Sequence, residues 1–425
     1  MKVLGLITEY NPFHNGHKYH IEEAKRITNA DYVIAVMSGN FVQRGAPAVI
    51  NKYTRTAMAL NNGIDLVLEL PVCYATASAE YFSHGAVDLL NKLGVVDAIC
   101  FGSECGDIEL IKETAEYLIQ APASFHVALQ KSLKEGMTYP AARTKAYLDT
   151  MQEVSTDKKE AITSLLLEPN NILGVEYVKA LHRLGSGITP YTIKRLSAHY
   201  HDDMLSEEHK SSISSATAIR RAIFEKDSAA DYFELMKQSV PEDVYQMLLD
   251  SYDRGYPISE EDFAASIKYK LLMTSRENLP EYLDLTPDLS DRIKKLSPYP
   301  KQISELAQSI KTRNVTLTRI NRALVHLLLD IKKKDFDEYN AEGYNRYARV
   351  LGLRPESSIL LRNIEESGTI PIITKVSKAY EVLDELAMKM LHKDILATDL
   401  YNQVVNDKFK VLLPNEYQRG IVIKP

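Results

Sequence analysis

Four short apolar runs, Val3–Ile7, Tyr32–Met37, Leu66–Leu70 and Ala98–Phe101, lie within the first hundred or so residues, with helical periodicity between them. Runs of this length bounded by turn residues read as strands buried on both faces. With helices as the crossovers, the fold they permit is a parallel sheet covered on both sides. The helices are expected at Gly16–Thr28, Lys52–Asn61 and Thr76–Lys92. In such sheets ligands bind beyond the carboxyl ends of the strands, which directs attention to the loops Thr8–His17, Ser38–Gly45 and Gly102–Glu104.

After Asp107 the pattern turns helical, at Ile108–Gln120, Ser124–Glu135 and Ala141–Thr150. A further strand is expected at Thr189–Arg195, then a polar loop His199–Lys210 and a helix opening at Ser214–Thr217. Beyond Asp227 leucine-rich helical periods dominate (Asp243–Leu249, Phe263–Met273, Ser304–Ile310, Thr316–Ile331, Lys378–Leu391), with no strand alternation except near the end. A chain of 425 residues outgrows one core. The expected division is an α/β, Rossmann-like domain over residues 1–226 and a mainly helical one over 227–425.

The net charge of −6 gives no overall attraction to a polyanion, so any nucleic-acid role must be local. Cys73, Cys100 and Cys105 are too few and too unevenly spaced for a disulfide framework or a zinc site. No apolar run approaches the roughly 18 residues of a membrane span, and the chain begins at once with a strand. A soluble, cytoplasmic protein with no membrane partner is expected.

The loop after the first strand reads Glu9-Tyr10-Asn11-Pro12-Phe13-His14-Asn15-Gly16-His17. Asn and Pro form turns, and two histidines there could be incidental. At the mouth of a helix, however, unpaired N–H groups and the positive dipole end already favour an anion. Imidazoles added to that mouth can stabilise charge developing on an α-phosphate without transferring a proton. His14 and His17 are therefore the candidate catalytic residues.

A second constellation is Ser214-Ser215-Ala216-Thr217-Ala218-Ile219-Arg220. Its hydroxyls are ordinary helix caps on one reading, and with Arg220 a second phosphate cradle on another. Gly102 permits close approach of a base or ribose. Asn170 and Asn171 read equally as caps or ligand contacts, and Arg195 as a phosphate contact or an edge residue. The long loop Ser38–Gly45 could line a pocket for a second substrate, with Arg44, Lys52 and Arg55 as candidate anion contacts.

Between Arg292 and Lys334 eleven Lys/Arg residues face two acidic ones, Glu305 and Asp330. In an acidic chain this concentration points to RNA. Lys311, Arg313, Arg319 and Arg322 are the candidate contacts, with Lys332–Lys334 after them, and Tyr344, Arg346, Tyr347 and Arg349 could add stacking surface.

Taken together, the Glu9–His17 segment, Val36-Met37-Ser38-Gly39, Phe41–Gly45, Phe101–Glu104, Pro169–Gly174 and Ser214–Arg220 resemble the bacterial tRNA(Met) cytidine acetate ligase family. Thr316–Arg322 and Tyr347–Leu353 extend the likeness into the helical half. The resemblance implies that acetate attacks the α-phosphate of ATP to give acetyl-adenylate. The N4 amine of the wobble cytidine in elongator tRNA(Met) then takes the acetyl group. It implies ATP contacts from Ile7, Thr8, Glu9, Tyr10, Asn11, Pro12, Phe13, His14, Asn15, Gly16, His17, Lys18, Tyr19 and His20, joined by Gly102, Asn170, Arg195, Thr217 and Arg220. Mg²⁺ is expected with ATP, although no carboxylate cluster marks a metal site, and the pattern fixes no oligomeric state. Where related enzymes carry Ser-Ser-Thr this chain has Ser215-Ala216-Thr217, one hydroxyl fewer. An adenylyltransferase acting on a phosphorylated small molecule, and an RNA-binding protein with a vestigial nucleotide site, are the alternative readings.

Overall fold

The protein, a computed structural model, is described for residues 1–151, 155–195, 215–225 and 229–424. The expected loop His199–Lys210, Ser214 and the expected boundary at 226/227 lie outside the described residues. The strands are Val3–Thr8 (β1), Tyr32–Ser38 (β2), Phe41–Val42 (β3), Ala46–Pro47 (β4), Leu66–Leu70 (β5), Ala98–Ser103 (β6), Thr189–Lys194 (β7), Ala348–Leu353 (β8), Ile372–Ile373 (β9) and Val422–Ile423 (β10). The main sheet runs β10-β8-β5-β2-β1-β6-β7, and β9 also pairs with β8.

From β5 to β7 every pairing is parallel, with Leu6 opposite Ala35 and Leu4 opposite Ala98. Side chains of successive strand residues go to opposite faces. Leu4, Leu6, Val33 and Ala35 join one core, and Val3, Ile34 and Val36 the other. Helices Asn15–Thr28 and Lys52–Asn61 contribute to the first core and helix Ala79–Lys92 to the second. This is the doubly covered α/β sheet that continuous apolar strands require. The chain leaves β1 toward β2 and β5 on one side, and β6 and β7 occupy the other. The change of direction therefore falls between β1 and β6, where a crevice opens beyond the carboxyl ends.

Strand structure does continue past residue 227. β8 pairs antiparallel with β5, and β9 and β10 pair with β8. Ala348–Leu353 is wholly buried, so its sequence shows no polar/apolar alternation, and Arg349 is the one charged residue in an otherwise apolar stretch. The residues around it are therefore not RNA-facing stacking surfaces. Tyr347 and Arg349 are buried, Tyr344 stacks on His84 at 3.9 Å between centroids, and Arg346 pairs with Asp384.

A buried charge cluster joins the C-terminal segment to the sheet. Lys52 Nζ lies 2.7 Å from Glu69 Oε1 and 2.8 Å from Glu416 Oε1, and Arg349 Nη1 lies 3.0 Å from Glu69 Oε2. Arg349 Nη2 also pairs with Glu416, and the Tyr53 hydroxyl donates to the same carboxylate at 2.5 Å. Burial would raise the Glu416 carboxyl, but Lys52 and Arg349 hold it well below its ordinary value. Lys52 is thus bound to two carboxylates and is no anion contact. Removing one partner from a buried ion pair costs about 3–5 kcal/mol. Glu416→Ala, which leaves two cations sharing Glu69, should lower the urea midpoint by a corresponding amount. A wild-type midpoint would show that the cluster adds nothing to stability.

Candidate nucleotide-binding site

The loop Glu9–Phe13 leaves the end of β1 and delivers His14 as the cap residue of helix Asn15–Thr28. Tyr10 takes a positive φ of 47°, and the Asn11–Pro12 peptide is cis. Partners from several segments hold this loop from outside. Asn11 Oδ1 accepts from the Val49 amide at 2.8 Å, Glu9 Oε1 accepts from the Gln43 amide at 2.8 Å, and Arg220 Nη1 donates to the Asn11 carbonyl at 2.8 Å.

Arg55, predicted as an anion contact, has a different role. It is fully buried and forms no ion pair among the described residues. Its guanidinium donates to the carbonyls of Glu9 (2.6 Å), Ser38 (3.0 Å) and Ile50 (3.1 Å), and also to that of Gly39. A planar donor fork suits such convergent carbonyls. Loss of hydration on burial brings its pKa down to about 10, with Tyr401, Glu9 and Glu69 opposing the change.

The two imidazoles of His14 and His17 stack, 3.6 Å between centroids and 25° between planes. The His14 amide donates to His17 Nδ1 at 3.2 Å. An accepting Nδ1 places the proton of neutral His17 on Nε2, leaving that N–H as a donor. Tyr10 and Phe13 are buried against His17, at 5.0 and 5.6 Å between centroids, and form an aromatic bed beneath it. One turn on, His20 Nε2 is buried without a hydrogen-bond partner among the described residues.

All three histidines are neutral near pH 7. Burial brings His14 down to about 3, with Arg195 and Arg220 adding repulsion. Burial brings His20 to about 4, again with Arg195. His17 is held well below its ordinary value by burial first, then by His14, His20 and the two arginines. The positive potential at this helix mouth therefore comes from Arg195, Arg220 and the helix end, while a neutral imidazole keeps one ring N–H able to donate.

The structure brings the second constellation to the same place. Helix Ala216–Glu225 lies beside the Glu9–Phe13 loop, and Arg220 Nη2 donates to Thr217 Oγ1 at 3.1 Å. Across the crevice, Arg195 follows β7, and its amide donates to the Ser103 carbonyl at 2.8 Å. A Cβ at Gly102 would come within 3.2 Å of the Arg195 side chain, so the absence of one lets this arginine lie across the strand end. Asn170 occupies the first turn of helix Pro169–Arg183. Glu104 fixes it there, with Oε1 accepting from Asn170 Nδ2 at 2.5 Å and Oε2 from the Asn171 amide at 2.9 Å. Spacing alone gives Glu104 no role. An acidic residue just beyond a strand, facing a Pro-Asn-Asn helix start, was the available signal.

The basic residues lie elsewhere. Lys311 and Arg313 are exposed just ahead of helix Leu317–Leu328. On that helix Arg319 leans toward Asp284 (3.7 Å), while buried Arg322 donates to Asp284 at 2.9 Å. Burial would raise the Asp284 carboxyl, but Arg322, His326 and Arg319 hold it below its ordinary value.

Comparison with known proteins identifies the family. Residues 1–413 match the HIGH Nucleotidyl Transferase family. A protein of Acetivibrio thermocellus named tRNA(Met) cytidine acetate ligase is 39% identical over 424 residues, covering 100% of both chains. Another of that name, from Thermoanaerobacter sp. strain X514, is 42% identical over 402 residues, covering 94% of this chain and 95% of its own. A crystal structure of Thermotoga maritima TmcAL bound with alpha-thio ATP superposes with a TM-score of 0.87 at 30% identity, covering 100% of this chain and 99% of that one. Its apo form gives 0.89 at 31%, with the same coverage.

Neutral burial of His14, His17 and His20 links stability to pH. Unfolded histidines protonate near pH 6.5, whereas the folded ones resist until about 4 or below. Their contribution is complete above the unfolded value and declines as pH falls toward the folded ones. The melting temperature should drop between about pH 7 and about pH 5, and less so in His20→Asn. Equal drops in the variant and the wild type would mean that His20 is not buried in the neutral form.

Proposed function

The chain belongs to the tRNA(Met) cytidine acetate ligase family of HIGH nucleotidyl transferases, and from that premise we propose that it acetylates N4 of the wobble cytidine in elongator tRNA(Met), using acetate and ATP. The observation that carries the reading is the convergence of His14, His17, Arg195 and Arg220 on one helix mouth at the sheet's switch point. Four neutral or cationic donor groups on one helix mouth suit a triphosphate.

In the first step an acetate oxygen attacks the α-phosphorus. A new P–O bond forms, the bond to the β-phosphate bridging oxygen breaks, and pyrophosphate leaves with the electron pair. His17 Nε2–H and the helix amides stabilise the extra charge on the α-phosphoryl oxygens, while Arg220 with Thr217 and Arg195 hold the departing phosphates. Asn170 and Gly102 border the nucleoside. Mg²⁺ belongs to this proposal as ATP's companion. Among the described residues no group of three or more His, Cys, Asp or Glu could hold a metal, so the phosphates would carry the cation themselves.

In the second step the cytosine amine attacks the acetyl carbon and AMP leaves. That amine is a weak nucleophile, because its lone pair is delocalised into the ring. Holding it against the anhydride can contribute about 7–11 kcal/mol. We assign the adenylation chemistry to residues 1–226 and tRNA contact to 227–425, where Lys311, Arg313 and Arg319 offer charge to the phosphate backbone. Arg322 acts through Asp284, which both arginines share. A tRNA substrate supports a cytoplasmic location, and no described helix is long and apolar enough to cross a membrane.

His17→Ala should reduce acetate-dependent ATP–pyrophosphate exchange by about 100-fold or more while tRNA binding persists. Wild-type exchange in that variant would remove the histidine from the chemistry. Exchange that needs a phosphorylated acceptor instead of acetate would favour the small-molecule adenylyltransferase. Charge reversal at Lys311 and Arg313 should weaken tRNA affinity and flatten its salt dependence, with exchange unchanged. Parallel loss of exchange would make these residues structural.

A further inference from the structure

A cavity of about 210 Å³ lies beside the nucleotide site, between the β3–β4 hairpin and helices Ala264–Met273, Ile303–Ile310 and Leu317–Leu328. Its walls are apolar and aromatic, with Phe41, Phe263, Leu324 and Val325 buried around it. Its rim is polar, formed by Glu260, Gln308 and Asn321. The hairpin that forms one wall connects directly to the nucleotide loop, because the Gln43 amide is the group that binds Glu9. At its turn Gly45, with φ of 75°, lies against helix Leu317–Leu328. A Cβ there would sit 2.2 Å from the Arg322 amide nitrogen. Glu260 is close enough to Arg220 to act on its charge, and its carboxylate forms no ion pair among the described residues. The exposed bases Lys311 and Arg313 precede the same helix.

We propose that this cavity receives the pyrimidine base of the acceptor nucleotide, flipped out of its strand, with Glu260 accepting from its exocyclic amine. The assignment rests on the function proposed above. Size agrees, since a cavity of about 150 Å³ already holds a benzene ring. The chemistry agrees too. A flipped base is held between aromatic and apolar side chains and read along its Watson–Crick edge, and a carboxylate is the acceptor that suits cytosine N4. Gln308 and Asn321 can serve the ring nitrogen and carbonyl. The Glu260 carboxylate on the rim disfavours the competing occupant, free acetate. In the transfer step the N4–C bond forms, the acetyl C–O bond to AMP breaks with the electron pair leaving on AMP, and Glu260 takes the proton that N4 releases.

Two variants and one probe test this. Glu260→Gln changes an exposed residue, and Leu324→Trp fills the cavity. Both should keep acetate-dependent ATP–pyrophosphate exchange within about twofold of wild type and lose at least about tenfold in acetyl transfer to tRNA(Met). In Glu260→Gln the loss should fall on kcat rather than on KM for tRNA. Pyrrolocytidine at the wobble position should change fluorescence on binding wild type and stay unchanged with Leu324→Trp. Undiminished transfer in Glu260→Gln, or exchange falling in step with transfer in either variant, overturns the pocket. If Leu324→Trp does not fold, Glu260→Gln decides. Wild-type exchange that ignores acetate would overturn the function itself, and this assignment with it.

Discussion

The guanidinium of Arg55 is the contact on which the site's shape depends. It donates to carbonyls that belong to three separate stretches of chain, at Glu9, at Ser38–Gly39 and at Ile50. These are the segments that leave β1, leave β2 and enter helix Lys52–Asn61. These carbonyls turn inward toward the guanidinium, and a buried carbonyl left without a donor costs about 1–3 kcal/mol. One side chain satisfies all of them, and so fixes how the histidine loop lies against the hairpin that borders the adjoining cavity. A lysine presents a point charge instead of a planar fork, and could not reproduce these directions.

Burial that keeps the imidazoles neutral also determines how they can act. An imidazolium at this helix mouth would be desolvated and would face two arginines and the positive end of the helix, so the uncharged ring is favoured. In the proposed reaction, charge complementary to a triphosphate therefore resides on Arg195 and Arg220. The stacked rings deeper in supply directed N–H groups. The arrangement divides long-range attraction from short-range stabilisation, and the second is worth more where water is excluded.

Much of the sheet was legible because its strands are buried on both faces and leave continuous apolar runs. Val3–Ile7, Tyr32–Met37 and Leu66–Leu70 fall within one residue of β1, β2 and β5. Ala348–Leu353 is buried in the same way, but Arg349 breaks its apolar run and helices precede and follow it, so its pattern does not mark a strand. Charge was the least legible feature. Lys52, Arg55, Arg322 and Arg349 look like surface cations in sequence, yet all four are buried, each matched by carboxylates or carbonyls far away along the chain. Glu416, which neutralises two of them, is separated from Lys52 by more than 360 residues, and periodicity carries no information at that range.

The sequence by itself determined the parallel sheet, the position of His14 and His17 at a helix start, and the family likeness. All of these follow from local spacing and from residue types that chemistry constrains. Tertiary structure decided which arginines reach the helix mouth, the protonation state of the histidines, and which basic residues remain available to a polyanion. It also formed the cavity beside the hairpin, from segments some 280 residues apart. Those outcomes depend on burial and on distances between remote segments, and both come into being only when the chain closes on itself.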